Sequence, residues 1–159
     1  MSVYLDNAAS TRPAPEVLDA MTQVAGQLFA NPSSAHAAGA AAARELDRAR
    51  HELAAALGSA ASELVFTGGG TEANALAVLG ACARARARGG AKHAVVTAIE
   101  HPAVLANVER LARQGDFTVT SVAVGPTGIA DAAAVIAAIR PETVLVAVML
   151  VNNELGTVQ

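Results

Sequence analysis

The 159-residue chain carries 11 Lys and Arg against 14 Asp and Glu, a formal net charge of -3, and is 53% hydrophobic. That length and apolar content suit one globular core, whereas the acidic balance argues against a nucleic-acid partner, which needs clustered positive potential to displace counterions. No apolar run approaches the roughly 18 residues of a membrane span, and "MSVYLDNAAS" lacks the basic and apolar regions of a signal peptide, so a cytoplasmic protein is expected.

In chain order, the short apolar "VYL" leads into the turn-rich "DNAASTRPAP", and residues 1–13 read as an N-terminal arm. Val17, Leu18, Met21, Val24 and Leu28 then recur at helical spacing, which predicts a helix over about 15–28. "ANPSSAHAAG" interrupts it, and Ser33 or Ser34 is the expected cap of a second amphipathic helix carrying Leu46, Leu53 and Leu57 and ended by Gly58. His36 lies in the interruption and receives no role.

From "ELVFT" onward the rhythm becomes strand, loop, helix: helices are expected over 71–88, 102–114 and 131–140, and further strands in "KHAVVTAI", "FTVTSVAV" and "TVLVAVMLV". Apolar β runs alternating with helices predict an α/β fold, a mostly parallel sheet with helices on both faces. Residues 14–159 read as one domain with no linker. The single cysteine, Cys82, excludes an intrachain disulfide and sits at helical spacing with Ala75, Leu76 and Leu79, so it reads as core. Arg84, Arg86 and Arg88 suit the negative end of the helix that follows the glycines.

In an open α/β sheet ligands lie at the carboxyl ends of the strands, which directs attention to "GGGTEAN", "EHP", "GPTG" and "NNELG". Gly68, Gly69 and Gly70 allow close backbone approach, and Thr71 opens a helix whose free N–H groups favour an anion. The loop matches neither a Walker A motif nor a dinucleotide fingerprint; a tight strand-to-helix turn capped by Thr71 is the plainer alternative. His101 precedes Pro102, a residue suited to the first helical position, so its imidazole sits at a strand end where it can stack on a planar ligand or move protons. His93 begins a strand and His51 lies inside a helix, away from that edge. Asn152, Asn153 and Glu154 close the most apolar strand, where polar side chains suit either ligand binding or an Asn-Asn turn before Gly156. No metal site is assigned.

Taken together, "YLDNAAST", "NPSSAHAAG", "ELVFTGGGTEANALAV", "EHPAVL", "GIAD" and "VNNELGTVQ" resemble the cysteine desulfurases, in the class V branch of the fold-type I pyridoxal-phosphate enzymes. The form of "NPSSAH" looks like the branch associated with housekeeping and nitrogen-fixation iron–sulfur assembly. The resemblance implies that Gly70 and Thr71 bind the phosphate of pyridoxal 5'-phosphate, that His101 stacks on its ring and acts in proton transfer, and that Asn153 hydrogen-bonds its 3-oxygen. It also implies an enzyme that converts L-cysteine to L-alanine and passes sulfur as a persulfide to an acceptor such as an iron–sulfur scaffold, working as a homodimer. A non-catalytic remnant of the fold, a selenocysteine lyase and a transaminase are the alternatives.

The family's cofactor lysine and persulfide cysteine have no match here. The only lysine, Lys92, precedes a strand and so lies at the wrong end of the sheet, and Cys82 falls on a helix rather than a mobile loop. The expectation is therefore an N-terminal fragment, an incomplete cofactor-binding domain, inactive and weakly stable alone. In such a fold "ELVFT" pairs with strands later in the sequence, so here it is expected to lack neighbours while the other three strands form a patch.

Overall fold

A computed structural model describes residues 3–90, 92–115 and 117–159. They form two compact units, one up to Phe66 and one from Thr67.

The first unit is helical. Pro at the first position opens α1 (Pro15–Gln27), which buries none of its residues; Val17, Leu18, Met21 and Val24 are all at least 41% exposed. The apolar stripe is present as the spacing predicts, but it stays largely exposed. Helix α2 (Ala37–Leu57) ends as expected at Gly58, which takes the left-handed conformation at φ 67°. Its cap differs from expectation: the acceptor is His36 Nδ1, which receives the Gly39 amide at 3.2 Å, while the two serines belong to a turn in which Asn31 accepts from the amides of Ser33 (2.9 Å) and Ser34 (3.0 Å). A serine reaches only the first turn after itself, and here that position is still loop.

Gly39 is buried where the turn crosses the helix start; a Cβ there would fall 2.3 Å from the Ser34 carbonyl oxygen, so the residue is glycine for close approach. Beyond a short 3-10 turn at Ala61–Glu63, residues 64–67 form no strand. Arg50 steadies them, donating to the Leu64 carbonyl at 2.7 Å with its guanidinium 4.7 Å from the centre of the Phe66 ring. "ELVFT" thus has strand composition without a strand, because a strand exists only with a neighbour to complete its ladder.

The second unit holds α3 (Gly70–Ala87), β1 (His93–Thr97), α4 (Pro102–Arg113), β2 (Thr118–Val122), α5 (Ala132–Ala138) and β3 (Thr143–Ala147). The strands pair in parallel in the order β2-β1-β3, so β1 is central and all five of its residues are buried. The chain crosses from β1 to β2 one way and from β2 to β3 the other; right-handed crossovers then place α4 and α5 on opposite faces. Alternation along β1 sorts the side chains. Ala94 and Val96 pack with Val78, Val104 and Val108 under α3 and α4, the main core, while His93, Val95 and Thr97 face the other side.

His93 shows what that second face requires. It has no exposed surface, and its two ring nitrogens bond Thr143 Oγ1 at 2.7 Å on β3 and Thr120 Oγ1 at 2.8 Å on β2. One side chain therefore ties three strands across a buried face, and burial, with Arg140 nearby, pushes its pKa below the ordinary value.

Candidate functional site

Helix α3 ends shortly before β1 begins, so its start lies toward the carboxyl edge of the sheet, the same edge at which β1 delivers Glu100 and His101. The first hydrogen bond of α3 runs from Ala73 N–H to the Gly69 carbonyl, which leaves the amides of Gly70 and Thr71 without a partner among the described residues. Both residues are exposed. The neighbouring Gly68 amide already holds an anionic group, donating at 2.6 Å to Glu72 Oε2 from the first helical turn. This contact sets a carboxylate oxygen against one backbone N–H at the positive end of the helix.

His101 is the N-cap of α4, with Pro102 at the first helical position as its sequence position suggests. Its Nδ1 accepts the Ala103 amide at 3.0 Å. That bond requires an unprotonated Nδ1, so in the neutral ring the proton sits on Nε2, at the solvent-facing end of an exposed side chain. His101 lines a cavity of about 370 Å³ together with Asn74, one turn along α3 from Thr71, and with Glu100, Val104 and residues 145–149. Gly70, Thr71 and Asn153 do not line that cavity.

The two polar dipeptides at the strand ends each divide their labour. In Glu100-His101 the glutamate is 6% exposed and the histidine exposed; in Asn152-Asn153 the first asparagine is 5% exposed and the second exposed. Glu100 Oε1 accepts from Thr97 Oγ1 at 2.6 Å and from the Met149 amide at 2.7 Å. Asn152 Nδ2 donates to the Ile99 carbonyl at 3.0 Å, and Oδ1 accepts from the amides of Glu154 (3.0 Å) and Leu155 (2.8 Å). Asn152 is thus engaged on both sides of its amide, by the Ile99 carbonyl and by the amides of Glu154 and Leu155, which leaves it little capacity for a ligand. Of the asparagine pair, only Asn153 is presented, its Nδ2 bonded at 3.0 Å to Glu154 Oε1 on the adjacent exposed residue. Gly156, at φ 72°, closes this turn, and the Asn-Asn turn and a presented side chain coexist.

Glu100 drew no attention in the sequence beyond its place in "EHP". The available signal was an acidic residue directly after "AVVTAI", in which five of six residues are apolar, a position where burial is expected and a carboxylate needs partners.

Lys92 lies at the amino end of β1, with its carbonyl accepting the Thr118 amide at 2.8 Å. The length of β1, about 20 Å of extended chain from Lys92 to Ala98, separates it from the edge that carries His101. Cys82 is 1% exposed within α3, and burial pushes its thiol pKa up, the opposite of what a nucleophilic thiolate needs. Among the described residues no cluster of His, Cys, Asp and Glu could hold a metal ion, and no helix is long and apolar enough to cross a membrane.

A parallel α/β sheet with an anion-accepting helix start and a histidine at the next strand's carboxyl edge has the form of a fold-type I pyridoxal-phosphate domain, and the solved structures that it superimposes on are of that class. A structure titled NIFS-like protein matches all of the chain and 43% of its own length with a TM-score of 0.94 and 34% identity; one titled SspA in complex with cysteine matches 99% of the chain and 45% of its own length with a TM-score of 0.90 and 41% identity. The sequence profile of class-V aminotransferases matches residues 3–159, and the chain belongs to that family. The cysteine desulfurase of Cereibacter sphaeroides is 45% identical over 157 residues, which is 98% of this chain and 40% of that protein. The chain spans about two-fifths of the length of the curated relatives that it matches.

Proposed function

We propose that the chain is the N-terminal part of a pyridoxal-phosphate-dependent cysteine desulfurase, and that residues 14–159 belong to its cofactor-binding domain. The observation that carries this reading is the pair of unpartnered amides of Gly70 and Thr71 at the start of α3, on the sheet edge where His101 is presented. The donor set suits a phosphate ester, since each charge-assisted bond contributes about 1.5–3 kcal/mol. Similarity to cysteine desulfurases supports the substrate, as does the neighbour whose title places it in complex with cysteine.

In this reading Gly70 and Thr71 would hold the phosphate, His101 would stack on the ring, and Asn153, whose Nδ2 is bonded here to Glu154, would hydrogen-bond the ring's 3-oxygen. Bound there, pyridoxal phosphate supplies an electron-withdrawing ring that stabilises negative charge developing on the substrate. His101 can hold or deliver a proton at Nε2, because Nδ1 is engaged by the Ala103 amide. The overall change is balanced without an oxidant: L-cysteine loses its sulfur atom to an acceptor thiol, giving L-alanine and a persulfide.

The cofactor lysine and the persulfide cysteine are supplied by neither Lys92 nor Cys82, so residues 1–159 alone do not turn over cysteine. The complete enzyme acts in the cytoplasm as a homodimer and delivers sulfur to an acceptor such as an iron–sulfur scaffold. Two measurements test this. Titration of the ¹⁵N-labelled chain with pyridoxal 5'-phosphate is expected to shift the Gly70, Thr71, His101 and Asn153 signals, and the full-length protein is expected to release alanine and sulfide from L-cysteine in the presence of a reductant. Shifts scattered away from these residues, or no alanine, would sink the reading.

A further inference from the structure

We infer that Glu100 and Asn152 are positioning residues that tie the turn after β1 to the segment after β3 and so hold His101 and Asn153 as one rigid pair. The inference deepens the proposed function and rests on it for the identity of the ligand.

The two ties are reciprocal. Glu100, on the turn after β1, reaches 49 residues forward to accept the Met149 amide; Asn152, on the segment after β3, reaches 53 residues back to donate to the Ile99 carbonyl. A single bond between two irregular segments lets one pivot on the other, whereas two bonds running in opposite directions fix their relative orientation. Each anchor is itself braced locally, Glu100 by Thr97 Oγ1 and Asn152 by the amides of Glu154 and Leu155.

Both anchors are at least nine-tenths buried. Apolar side chains there would leave the Met149 amide and the Ile99 carbonyl without these partners, so the polar pair both satisfies backbone groups and adds direction. Each anchor also immediately precedes the residue that it steadies, so a shift of its backbone moves His101 or Asn153 directly. Met149, the amide that Glu100 holds, lines the same cavity as His101.

The test uses the full chain with Glu100→Ala, Glu100→Gln and Thr97→Val, read by amide hydrogen exchange and by binding of two probes, pyridoxal 5'-phosphate and inorganic phosphate. Inorganic phosphate needs only the glycine loop; the larger probe also needs His101 and Asn153. Glu100→Ala is expected to speed Met149 amide exchange and to weaken pyridoxal phosphate about tenfold, with inorganic phosphate within about twofold. Glu100→Gln keeps an acceptor oxygen at the same reach and is expected to restore both readings. Thr97→Val preserves volume and removes one of the two bonds to Glu100, so it remains informative if Glu100→Ala does not fold; about a threefold loss is expected for pyridoxal phosphate alone.

Equal weakening of both probes would mark general structural loss and overturn the inference, as would unchanged pyridoxal phosphate affinity in both disruptive variants. A wild-type chain that binds phosphate but not pyridoxal phosphate would instead count against the proposed cofactor. The exchange rate of Met149 in the disruptive variants against Glu100→Gln would still decide the tie.

Discussion

Residues up to Phe66 and residues from Thr67 have similar apolar composition to the eye, yet only the second unit builds a core. In the first, α1 buries nothing and α2 buries only Gly39, Ala42 and Ala54, all small. In the second, β1 is enclosed on both faces and between two strands. The difference teaches that a helical stripe is a half-interface. It becomes stable only with a partner surface, whereas a central parallel strand brings its partners with it through the crossovers.

Substitutions can break that contrast. Val108 is 1% exposed beneath the sheet, and Val108→Ala is expected to destabilise the second unit by about 2–3 kcal/mol, whereas Val24→Ala on the open face of α1 should stay within about 0.5 kcal/mol. Urea denaturation of the two variants measures both. Comparable losses would mean that α1 is covered in solution. Gly39→Ala is the strongest perturbation expected in the first unit, about 1–3 kcal/mol, because the Ser34 carbonyl is backbone and cannot step aside cheaply. Circular dichroism of the 31–57 helix start in a melt would report it.

A gentler lever is pH, acting on the second unit through His93. His93 is buried with its folded-state pKa lowered, first by desolvation and then by Arg140, while Glu142 acts in the opposite sense. The unfolded chain therefore binds the proton more readily, so the stability from neutral His93 is complete above the ordinary histidine range and is lost as pH falls through that range toward the lowered value. Denaturation midpoints at pH 7.5 and 5.5 are expected to differ in that direction, and His93→Gln should flatten the difference. Smallest of all is Arg48→Ala. Its guanidinium pairs with Glu45 and Glu52 and holds the Glu45 carboxyl below its usual range, but the groups are solvent-exposed, and no measurable change in stability is expected.

The candidate site divides along similar lines. The free amides of Gly70 and Thr71 were legible because the first turn of any helix lacks intrahelical acceptors, and the place of His101 because a proline fixes the helix entry behind it. Local pattern did not separate Asn152 from Asn153, and only the resemblance singled out Asn153: adjacent residues at a strand end point in different directions, and which one is consumed depends on whether a carbonyl such as that of Ile99 lies alongside. Glu100 was hidden for the same reason, since its donor is a backbone amide 49 residues away. The cap of α2 was misplaced by two or three residues because the Asn31 turn competes for the serine amides.

Sequence alone determined most of the order of helices and strands, the parallel α/β class, the family resemblance and the glycine-rich turn into α3, all of which follow from local periodicity, glycine placement and motif order. That "ELVFT" stays outside the sheet was already implied by the family resemblance, whereas only the tertiary structure decided that His93 joins three strands and that Glu100 and Asn152 anchor the residues beside them. Each of those contacts depends on a hydrogen-bond partner that is distant in the chain, and no local pattern encodes the presence of such a partner.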